Sequence, residues 1–550
     1  PLGNTIILRG FHIANIRIVY IIRNTAHWEP DREEVRKKAV REIAEFATLE
    51  VRSRDQAIGT IQVDMIDPRL TNEVFYGPVK NQPQLFNRWD RMRTLVHERL
   101  ESFEYSREQM TAILLFHYGL NENYTENPIT IYISVDYDCP EFSWPTIIED
   151  IQQNLAKHGL PVLNIHMEHN IGVQMAFDYL PPTGSPEDIQ DKINQNNFLL
   201  DDYQTSVNLG DSIGAARYLS LSGAKKNPLY GTLGCYVELK TARSQQWETY
   251  ALTNYHVIRP TIYGFQLKLD RNRNTAMDRP QKGSRLWKGD EEGLAPRTTV
   301  PSEAMESPSR IKHNYTTWLH RQQINEIDAL THQDATSNQL KQKAIHDLNS
   351  KTAFFDGYSH ILGKVYAGSG FMHRSPENNR LDWALIKVNH KRTGTNGLPG
   401  NDAWNHLLLG KPLRTFGSRL KNATQSISEK TRGQRCFRAF KLGATTGATA
   451  GTFHEVKMDV QLKDDRHLKR PVSSEYVFQP RGRPRFAARG DSGSAVYDDQ
   501  GCIVGLLFTG QVPINGPDSG VGYVTPIEYV FKDIMDTFKG EITDIRVADR

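Results

Sequence analysis

Cysteine is scarce in this chain. The 550 residues contain four cysteines, and no two of them stand in the C-x-x-C spacing that zinc sites and thiol redox motifs use. The composition therefore predicts neither a zinc site nor a disulfide framework. Secreted proteins of this size usually contain more cysteine, so we expect an intracellular, reducing compartment, the cytoplasm in the first place and the nucleus in the second.

Long apolar runs and a charge excess of one sign are missing as well. The longest apolar runs, residues 18–22 and 503–508, are far shorter than the roughly 18 residues that a membrane-spanning helix needs. The 67 basic and 64 acidic residues leave a net charge of +3. This near-balance gives no reason to expect a nucleic acid or a membrane as a partner. The first 200 residues contain no glycine-rich phosphate-binding motif, so nucleotide binding has no support.

The N-terminal part of the chain alternates between strand and helix patterns. A strand pattern at 129–135 is followed by a helix pattern at 147–155 and a second strand pattern at 162–167. An earlier unit, whose helix begins after Asp31, has the same order. Two such βαβ units predict a parallel sheet. We therefore expect residues 1–205 to form an α/β domain with a regulatory or interaction role.

The pattern changes in the remaining residues, 206–550. Short runs with strand character, such as 247–253 and 384–388, are separated by Gly, Asn, Asp and Ser turns. Regularly spaced short strands are typical of an all-β barrel or sandwich. The length of the chain agrees with at least two domains, since a domain usually has about 100–200 residues.

One stretch, about 268–352, interrupts this β-rich part. Residues 270–312 are rich in Arg, Pro, Ser, Lys and Glu, which predicts a solvated loop. Residues 318–350 carry apolar side chains at helical spacing, which predicts a helix. The simplest interpretation is a helical insertion into a β domain.

The strongest chemical signal is the segment Gly490–Ser494, which reads G-D-S-G-S. A serine hydroxyl becomes a nucleophile when a neighbouring base removes its proton. The glycine two positions before Ser492 leaves a backbone N–H free to approach a developing oxyanion, and Gly493 permits a tight turn that exposes the hydroxyl. The segment therefore predicts a nucleophilic serine, although turns alone also favour these residue types.

Two upstream segments supply the partners that such a serine needs. His256 stands at the end of an apolar strand pattern, and Asp382 stands at the start of another. Histidine can accept the serine proton and pass it to a leaving group. A buried aspartate fixes the tautomer of the imidazole and stabilises the imidazolium. The chain order His, Asp, Ser is one of the known orders of this triad.

These motifs resemble the trypsin/chymotrypsin-like serine proteases of the PA clan, in particular their intracellular and HtrA-like branches. The resemblance covers roughly residues 206–535. The motifs that carry it, in order, are T-L-G-C-Y-V at 232–237, T-N-Y-H-V at 253–257, D-W-A-L-I at 382–386, G-A-T-T-G-A-T-A-G at 443–451 and G-D-S-G-S at 490–494. The resemblance implies an α+β multidomain chain in which an N-terminal α/β domain precedes a chymotrypsin-like double β-barrel with a helical insertion.

The resemblance also implies a function and a site. The function would be that of a serine endopeptidase that hydrolyses peptide bonds through an acyl-enzyme and needs no metal or cofactor. Its partners would be protein or peptide substrates. The resemblance does not extend to the N-terminal domain, for which regulation by a partner, recruitment of substrate and homo-oligomerisation all remain open. The implied residues are the triad His256, Asp382 and Ser492, the oxyanion donors Gly490 and Ser492, and the substrate-binding residues Phe486, Phe508, Thr509 and Gly510.

Two departures from the family pattern affect this interpretation. Val257 replaces the cysteine that secreted members have after the histidine, which fits a reducing compartment. No activation-cleavage motif precedes the protease part. In activated trypsins a freed N-terminal amine pairs with the aspartate of G-D-S-G, so Asp491 must be held in another way. We therefore expect activation by a partner or by a conformational change.

Two other functions remain open at this point. The first is a catalytically inactive protease fold that serves as a binding or scaffold module. The second is a chromatin-associated protease, because Arg481–Pro484 matches a minor-groove hook of arginine and glycine. This stretch lies just before the nucleophile, where the resemblance implies the rim of a specificity pocket, so we expect acidic substrate segments rather than DNA at these arginines.

Overall fold

The computed structural model describes residues 74–170 and most of 203–550, with short pieces at 6–8, 11–13, 38, 41–43 and 45–46. The gaps within the C-terminal part are 244, 270–274, 278–279, 296–301, 331–333, 401–417, 428, 431–436, 463–471, 481–485 and 512–520. The βαβ unit predicted around Asp31 therefore lies outside the described residues, apart from a few helical residues between 38 and 46. The arginine-rich stretch 481–485 lies outside them as well.

The elements are numbered along the described chain. The helices are α1 (Pro83–Ser102), α2 (Trp144–Lys157), α3 (Tyr255–Ile258), α4 (Arg285–Glu292), α5 (Arg310–Asp328), α6 (Ala335–Asp356) and α7 (Ile527–Thr537). The first strands are β1 (Ile6–Leu8), β2 (Phe11–Ile13), β3 (Phe75–Pro78), β4 (Met110–Gly119), β5 (Ile129–Val135) and β6 (Asn164–His169). The middle strands are β7 (Ser212–Ala215), β8 (Leu219–Leu221), β9 (Ala224–Lys226), β10 (Tyr230–Thr232), β11 (Cys235–Thr241), β12 (Trp247–Thr253), β13 (Leu267–Leu269), β14 (Thr275–Met277), β15 (Ala304–Glu306), β16 (Ile361–Gly368) and β17 (Ala384–Val388). The last strands are β18 (Arg438–Gly443), β19 (Gly447–Phe453), β20 (Met458–Gln461), β21 (Val472–Pro480), β22 (Ala495–Asp498), β23 (Ile503–Gln511), β24 (Val521–Pro526) and β25 (Ile542–Val547).

The N-terminal unit contains the predicted βαβ arrangement. β5 and β6 pair in parallel, with Thr130 opposite Asn164, and α2 connects them. The buried residues of α2 are Ile147, Ile151 and Leu155, which share one face because four residues make about one helical turn. This face packs on the sheet together with the apolar face of α1, in one hydrophobic cluster. The βαβ prediction for residues 129–167 is therefore confirmed. The expectation of a parallel sheet was wrong for the neighbouring strands, because β3 pairs with β4 and β4 with β5 in antiparallel orientation.

The sheet of the N-terminal unit continues into the C-terminal part of the chain. β4 pairs with β20, with Asp459 opposite Ile113, so that strands from both sides of residue 205 belong to one eleven-stranded sheet. Side chains reinforce this junction, since the indole N–H of Trp89 donates to the carbonyl of Lys457 at 2.6 Å. Arg93 of α1 forms an ion pair with Asp459. The two predicted domains thus share a sheet and a hydrophobic cluster that includes both β4 and β23 side chains.

Six strands of this large sheet close into a barrel. They pair in the order β19, β18, β22, β23, β24 and β21, and β21 pairs again with β19. The interior of the barrel is filled by side chains such as Phe453, Phe478 and Leu507, which are fully or almost fully buried. After the barrel, α7 leads to β25, which pairs with β11 of a different sheet.

That second sheet has eight strands in the order β10, β7, β15, β16, β17, β12, β11 and β25. The sheet must fold back on itself, because only Leu233 and Gly234 separate β10 at one edge from β11 near the other. Over the described residues no ladder joins β10 to β11. The chain is therefore a mixed α+β protein with one closed six-stranded barrel, and the double barrel implied by the resemblance remains a prediction.

The segment 268–352 differs from its prediction. The expected loop over 270–312 contains helix α4, which begins with Ser284 as its N-cap, and strand β15, which lies between β7 and β16. The expected helix over 318–350 is two helices, α5 and α6, and α5 already begins at Arg310 after the N-cap Ser309. The loop prediction was wrong in these places because a three-residue strand and a short capped helix are too brief to produce a periodic pattern.

The ion pair at the sheet junction yields a test of how firmly the N-terminal unit is attached. The side chains of Arg93 and Asp459 are 12% and 9% exposed. Replacing Arg93 with Met leaves the aspartate buried without its counter-charge, so we expect the free energy of unfolding to fall by about 3 kcal/mol. Arg91 is an exposed residue of the same helix, and Arg91→Met should have little effect.

Thermal and urea-induced unfolding measure both variants. Because the loss comes from an unpaired carboxylate, the double variant R93M/D459N should recover part of it. Equal stabilities of the R93M and R91M variants would contradict the assignment of this ion pair to the junction.

Candidate active site

Two of the predicted site residues meet at the ends of neighbouring strands. His256 lies in α3, which directly follows β12, and Asp382 lies just before β17. β12 and β17 pair with Thr253 opposite Ala384, so the register brings the two side chains together. The Nδ1 atom of His256 is 2.7 Å from Oδ2 of Asp382, and the backbone N–H of His256 donates to Oδ1 at 3.0 Å. The carboxylate therefore holds both the ring and the main chain of the histidine.

The environment of Asp382 keeps its carboxyl group ionised. Burial by itself raises the pKa, but the adjacent His256 and the guanidinium of Arg380 outweigh it and lower the pKa of Asp382 to about 2. The Nε atom of Arg380 lies 3.4 Å from Oδ2 of the aspartate. The side chain of Asn254 donates to the backbone carbonyl of Asp382 at 2.5 Å. This hydrogen bond joins the residue that follows β12 to the segment that precedes β17. Sequence analysis did not identify Arg380 or Asn254 as part of this site.

Ser492 lies in a tight turn that precedes β22. Gly490 and Gly493 have φ angles of +94° and +96°, in the left-handed region that favours glycine. The hydroxyl of Ser492 is half-buried and donates to the backbone carbonyl of Phe508 at 2.9 Å. In this conformation its hydrogen bond goes to β23 and not to His256.

Strand β10 connects the serine turn with the histidine segment. The backbone N–H of Thr232 donates to the carbonyl of Ser492 at 2.8 Å, and the carbonyl of Thr232 accepts from the hydroxyl of Thr253 at 2.8 Å. A Cβ atom on Gly231 would lie 2.4 Å from the side chain of Val257 and 2.7 Å from the carbonyl oxygen of Ser492. The residues next to His256 and the turn that carries Ser492 thus approach each other across one strand.

The amides predicted as oxyanion donors have a defined orientation. The carbonyl of Arg489 accepts from the hydroxyls of Thr445 at 2.6 Å and Tyr230 at 3.2 Å. Because a trans peptide directs its N–H opposite to its C=O, the N–H of Gly490 points away from these hydroxyls. Within the described part of the chain, the N–H groups of Gly490 and Ser492 donate to no protein acceptor. Both are therefore available to a ligand.

The predicted substrate-binding residues occupy different surroundings. Phe508, Thr509 and Gly510 lie in β23, and the side chain of Phe508 is buried while Thr509 is half-buried. Phe486 is fully buried inside the barrel. Its ring fits between two glycines, since a Cβ atom on Gly451 or Gly522 would come within 2.7 Å of it.

The described residues contain no group of three or more His, Cys, Asp or Glu side chains that could hold a metal ion. No helix in the described part of the chain is long and apolar enough to cross a membrane. The sequence shows no metal-ligand spacing for the histidines outside the candidate triad, so we expect those such as His320 on solvated faces, but His320 is buried in α5.

Gly493 offers a test of the turn that carries Ser492. A Cβ atom there would lie 2.3 Å from the hydroxyl oxygen of Thr253 and 2.4 Å from the carbonyl of Thr232, so Gly493→Ala must displace the turn. A misplacement of about 1 Å costs roughly 100-fold in rate, and we expect a loss of that order in kcat/KM for peptide hydrolysis. Gly159 also has a positive φ, of +63°, but nothing within 4 Å of its Cβ position.

Gly159→Ala is therefore the matched control, which should cost about 1 kcal/mol of stability and leave kcat/KM unchanged. Steady-state hydrolysis measures kcat/KM of both variants, and thermal unfolding measures their stability. An active Gly493→Ala enzyme would contradict the tight packing of this turn.

Comparison with known proteins identifies a peptidase family in the C-terminal part of the chain. The model of peptidase family S64 matches residues 295–545, slightly less than half of the chain. The matched region includes Asp382 and Ser492 and begins after His256. No curated protein matches the chain. The family match supports a serine protease family and a protease function, and the chain is a serine peptidase, a hydrolase.

Proposed function

We propose that this peptidase is an endopeptidase of the trypsin/chymotrypsin type within the PA clan, and that His256, Asp382 and Ser492 form its catalytic triad. The observation that carries this proposal is the pair of hydrogen bonds from His256 to the buried carboxylate of Asp382. A turn that contains Gly490 and Gly493, both with positive φ, carries the half-buried hydroxyl of Ser492. The substrates are proteins or peptides.

The geometry gives each group a role in the reaction. Because Asp382 accepts from Nδ1 of His256, the tautomer leaves Nε2 without a proton and able to act as a base. The hydroxyl of Ser492 turns from the carbonyl of Phe508 towards Nε2 and attacks the carbonyl carbon of the substrate, while its proton moves to His256. The imidazolium then protonates the leaving amine.

The negative charge that develops on the substrate oxygen needs donors. The N–H groups of Gly490 and Ser492 serve this purpose, since both lack a protein acceptor among the described residues. Water then hydrolyses the acyl-enzyme with His256 as the base, and the serine is regenerated. These steps need no metal ion and no cofactor.

A second candidate is a catalytically inactive binding module. The observation that favours it is the hydrogen bond from the Ser492 hydroxyl to Phe508, because a hydroxyl held there permanently could not transfer its proton to His256. The identification of the chain as a serine peptidase favours the enzyme. A probe that reacts covalently with Ser492 distinguishes the active enzyme from the inactive binding module.

A serine-reactive phosphonate should label the intact protein, and Ser492→Ala and His256→Ala should abolish both labelling and peptide hydrolysis. Asp382→Asn should reduce kcat by about 10⁴-fold, because the imidazole then adopts the wrong tautomer. Ser220→Ala is the matched control, since this serine is an exposed residue of β8.

Ser220→Ala should retain labelling. Intact, folded protein that neither reacts with the phosphonate nor cleaves any peptide would support the binding module instead. Labelling that persists in Ser492→Ala would show that another residue is the nucleophile.

We further propose that the enzyme prefers a small or apolar residue before the scissile bond. The resemblance implies that Phe486 stands at the base of the specificity pocket, where a trypsin-like preference would need an acid. The phenyl ring is fully buried, stacks on Phe478 with ring centroids 5.8 Å apart, and carries no charge. A substrate Arg or Lys would therefore find no counter-charge there.

Tetrapeptide substrates that differ only in this position test the preference. Ala, Val and Leu should give kcat/KM values at least about tenfold above those of Arg and Lys, because burying an unpaired charge is costly. The highest kcat/KM for Arg or Lys would contradict the assignment of Phe486 to the pocket.

The state of the cysteines indicates the cellular compartment in which the protein works. Cys139, Cys235 and Cys502 are buried and form no disulfide. Unpaired buried thiols fit a reducing compartment, and we propose the cytoplasm, with the nucleus as the second candidate. For the N-terminal α/β unit we propose a regulatory or oligomerisation role.

A further inference from the structure

The carboxylate of Asp491, next to the proposed nucleophile, is buried completely and is fully hydrogen-bonded. Its Oδ1 atom accepts from the backbone N–H groups of Thr445 at 3.0 Å and Thr446 at 3.1 Å. Its Oδ2 atom accepts from the hydroxyl of Thr446 at 2.7 Å and the N–H of Ala488 at 2.9 Å. The ammonium group of Lys441 lies 3.1 Å from the same oxygen. A buried carboxylate needs such a counter-charge.

Lys441 supplies this charge from inside the same barrel. It belongs to β18, its side chain has no exposed surface, and its ammonium group also donates to the hydroxyl of Thr446 at 2.7 Å. Burial lowers the pKa of Lys441, while the charge of Asp491 raises it. Gly443 makes room for the pair, because a Cβ atom there would lie 2.4 Å from the carboxylate and 2.8 Å from the ammonium nitrogen.

The same hairpin turn also holds the peptide that carries an oxyanion donor. Thr445 donates its N–H to Asp491 and its hydroxyl to the carbonyl of Arg489, which sets the direction of the Gly490 N–H. Asp491 lies between Gly490 and Ser492 in the chain. Anchoring its side chain therefore fixes the orientation of both amides, Gly490 on one side and Ser492 on the other.

We propose that Lys441 is the positioning residue that holds the nucleophile turn in its reactive conformation, in place of the freed N-terminal amine that activated trypsins use. The oxyanion donors are then assembled in the uncleaved chain, and catalysis requires no new N-terminus. This inference rests on the proposed triad of His256, Asp382 and Ser492.

The test compares charge removal with charge retention. Lys441→Met should lower kcat for peptide hydrolysis by at least about 100-fold with little change in KM, because the oxyanion is stabilised only in the transition state. Lys441→Arg keeps the charge and should recover a measurable part of kcat. Lys364, an exposed lysine of β16, is the matched control, and Lys364→Met should leave kcat unchanged.

A merely structural role predicts a different result. In that case Lys441→Met would reduce the folded fraction, but kcat per folded molecule, measured with circular dichroism and hydrolysis on one sample, would equal that of the parent. The double variant K441M/D491N removes the unpaired buried charge, so it should fold even if K441M does not. A double variant that folds but keeps the loss in kcat supports the proposal, and one with the full kcat overturns it.

Two controls separate this inference from the proposed function. If Ser492→Ala abolishes hydrolysis while Lys441→Met keeps the full kcat per folded molecule, the triad stands and the role of Lys441 is wrong. If Ser492→Ala remains active, the triad itself is wrong. The N-terminus of the active enzyme should be that of the purified chain, and activity that arises only after cleavage near residue 212 would overturn the proposal.

Discussion

The turn that carries Ser492 depends on the buried charge of Asp491, which water cannot reach. Asp491 has no exposed surface, and its carboxylate is neutralised and bonded by groups of the β18–β19 hairpin and by Ala488. The hairpin needs Gly443 for room, Lys441 for charge and two threonines for hydrogen bonds. Because a carboxylate left without these partners would be costly, the turn and the hairpin can only be stable together. The conformation of the turn is thus a property of the barrel and not of the local sequence alone.

The site is assembled from separate strands through a short connection. His256 follows β12 and Asp382 precedes β17, both strands of the eight-stranded sheet, whereas Ser492 precedes the barrel strand β22. Thr232 bridges them, since its N–H binds the serine carbonyl and its carbonyl binds Thr253. The glycines at 231, 234 and 493 allow this close approach, because a side chain at any of them would collide with the neighbouring main chain or side chain.

The N-terminal α/β unit is physically continuous with the barrel. Its strand β4 extends the sheet through β20, and one hydrophobic cluster contains β4 side chains together with Phe508, whose carbonyl accepts from Ser492. A change in the position of this unit therefore acts on the same strand that the serine contacts. This gives the regulatory role proposed for residues 1–205 a physical route to the site.

Much of this organisation follows from local patterns. The strand bounds predicted at 129–135, 247–253 and 384–388 agree with the structure, because each run alternates or buries its apolar residues and ends at turn-forming residues. The candidate triad follows from residue types whose chemistry requires one another. The brief strand β15 and the start of α5 at Arg310 were missed, since three residues show no period and a helix boundary depends on its cap.

The sequence by itself determined the candidate triad as a set of residue types, the βαβ order near residues 129–167 and the β-rich character of the remainder, because these depend on neighbours within one element. Only the tertiary structure decided which residues support them. Lys441 is 50 positions before Asp491, and Arg380 meets His256 through Asp382. Such partners are selected by strand register, barrel closure and the need to compensate buried charge, which act between residues far apart in the chain.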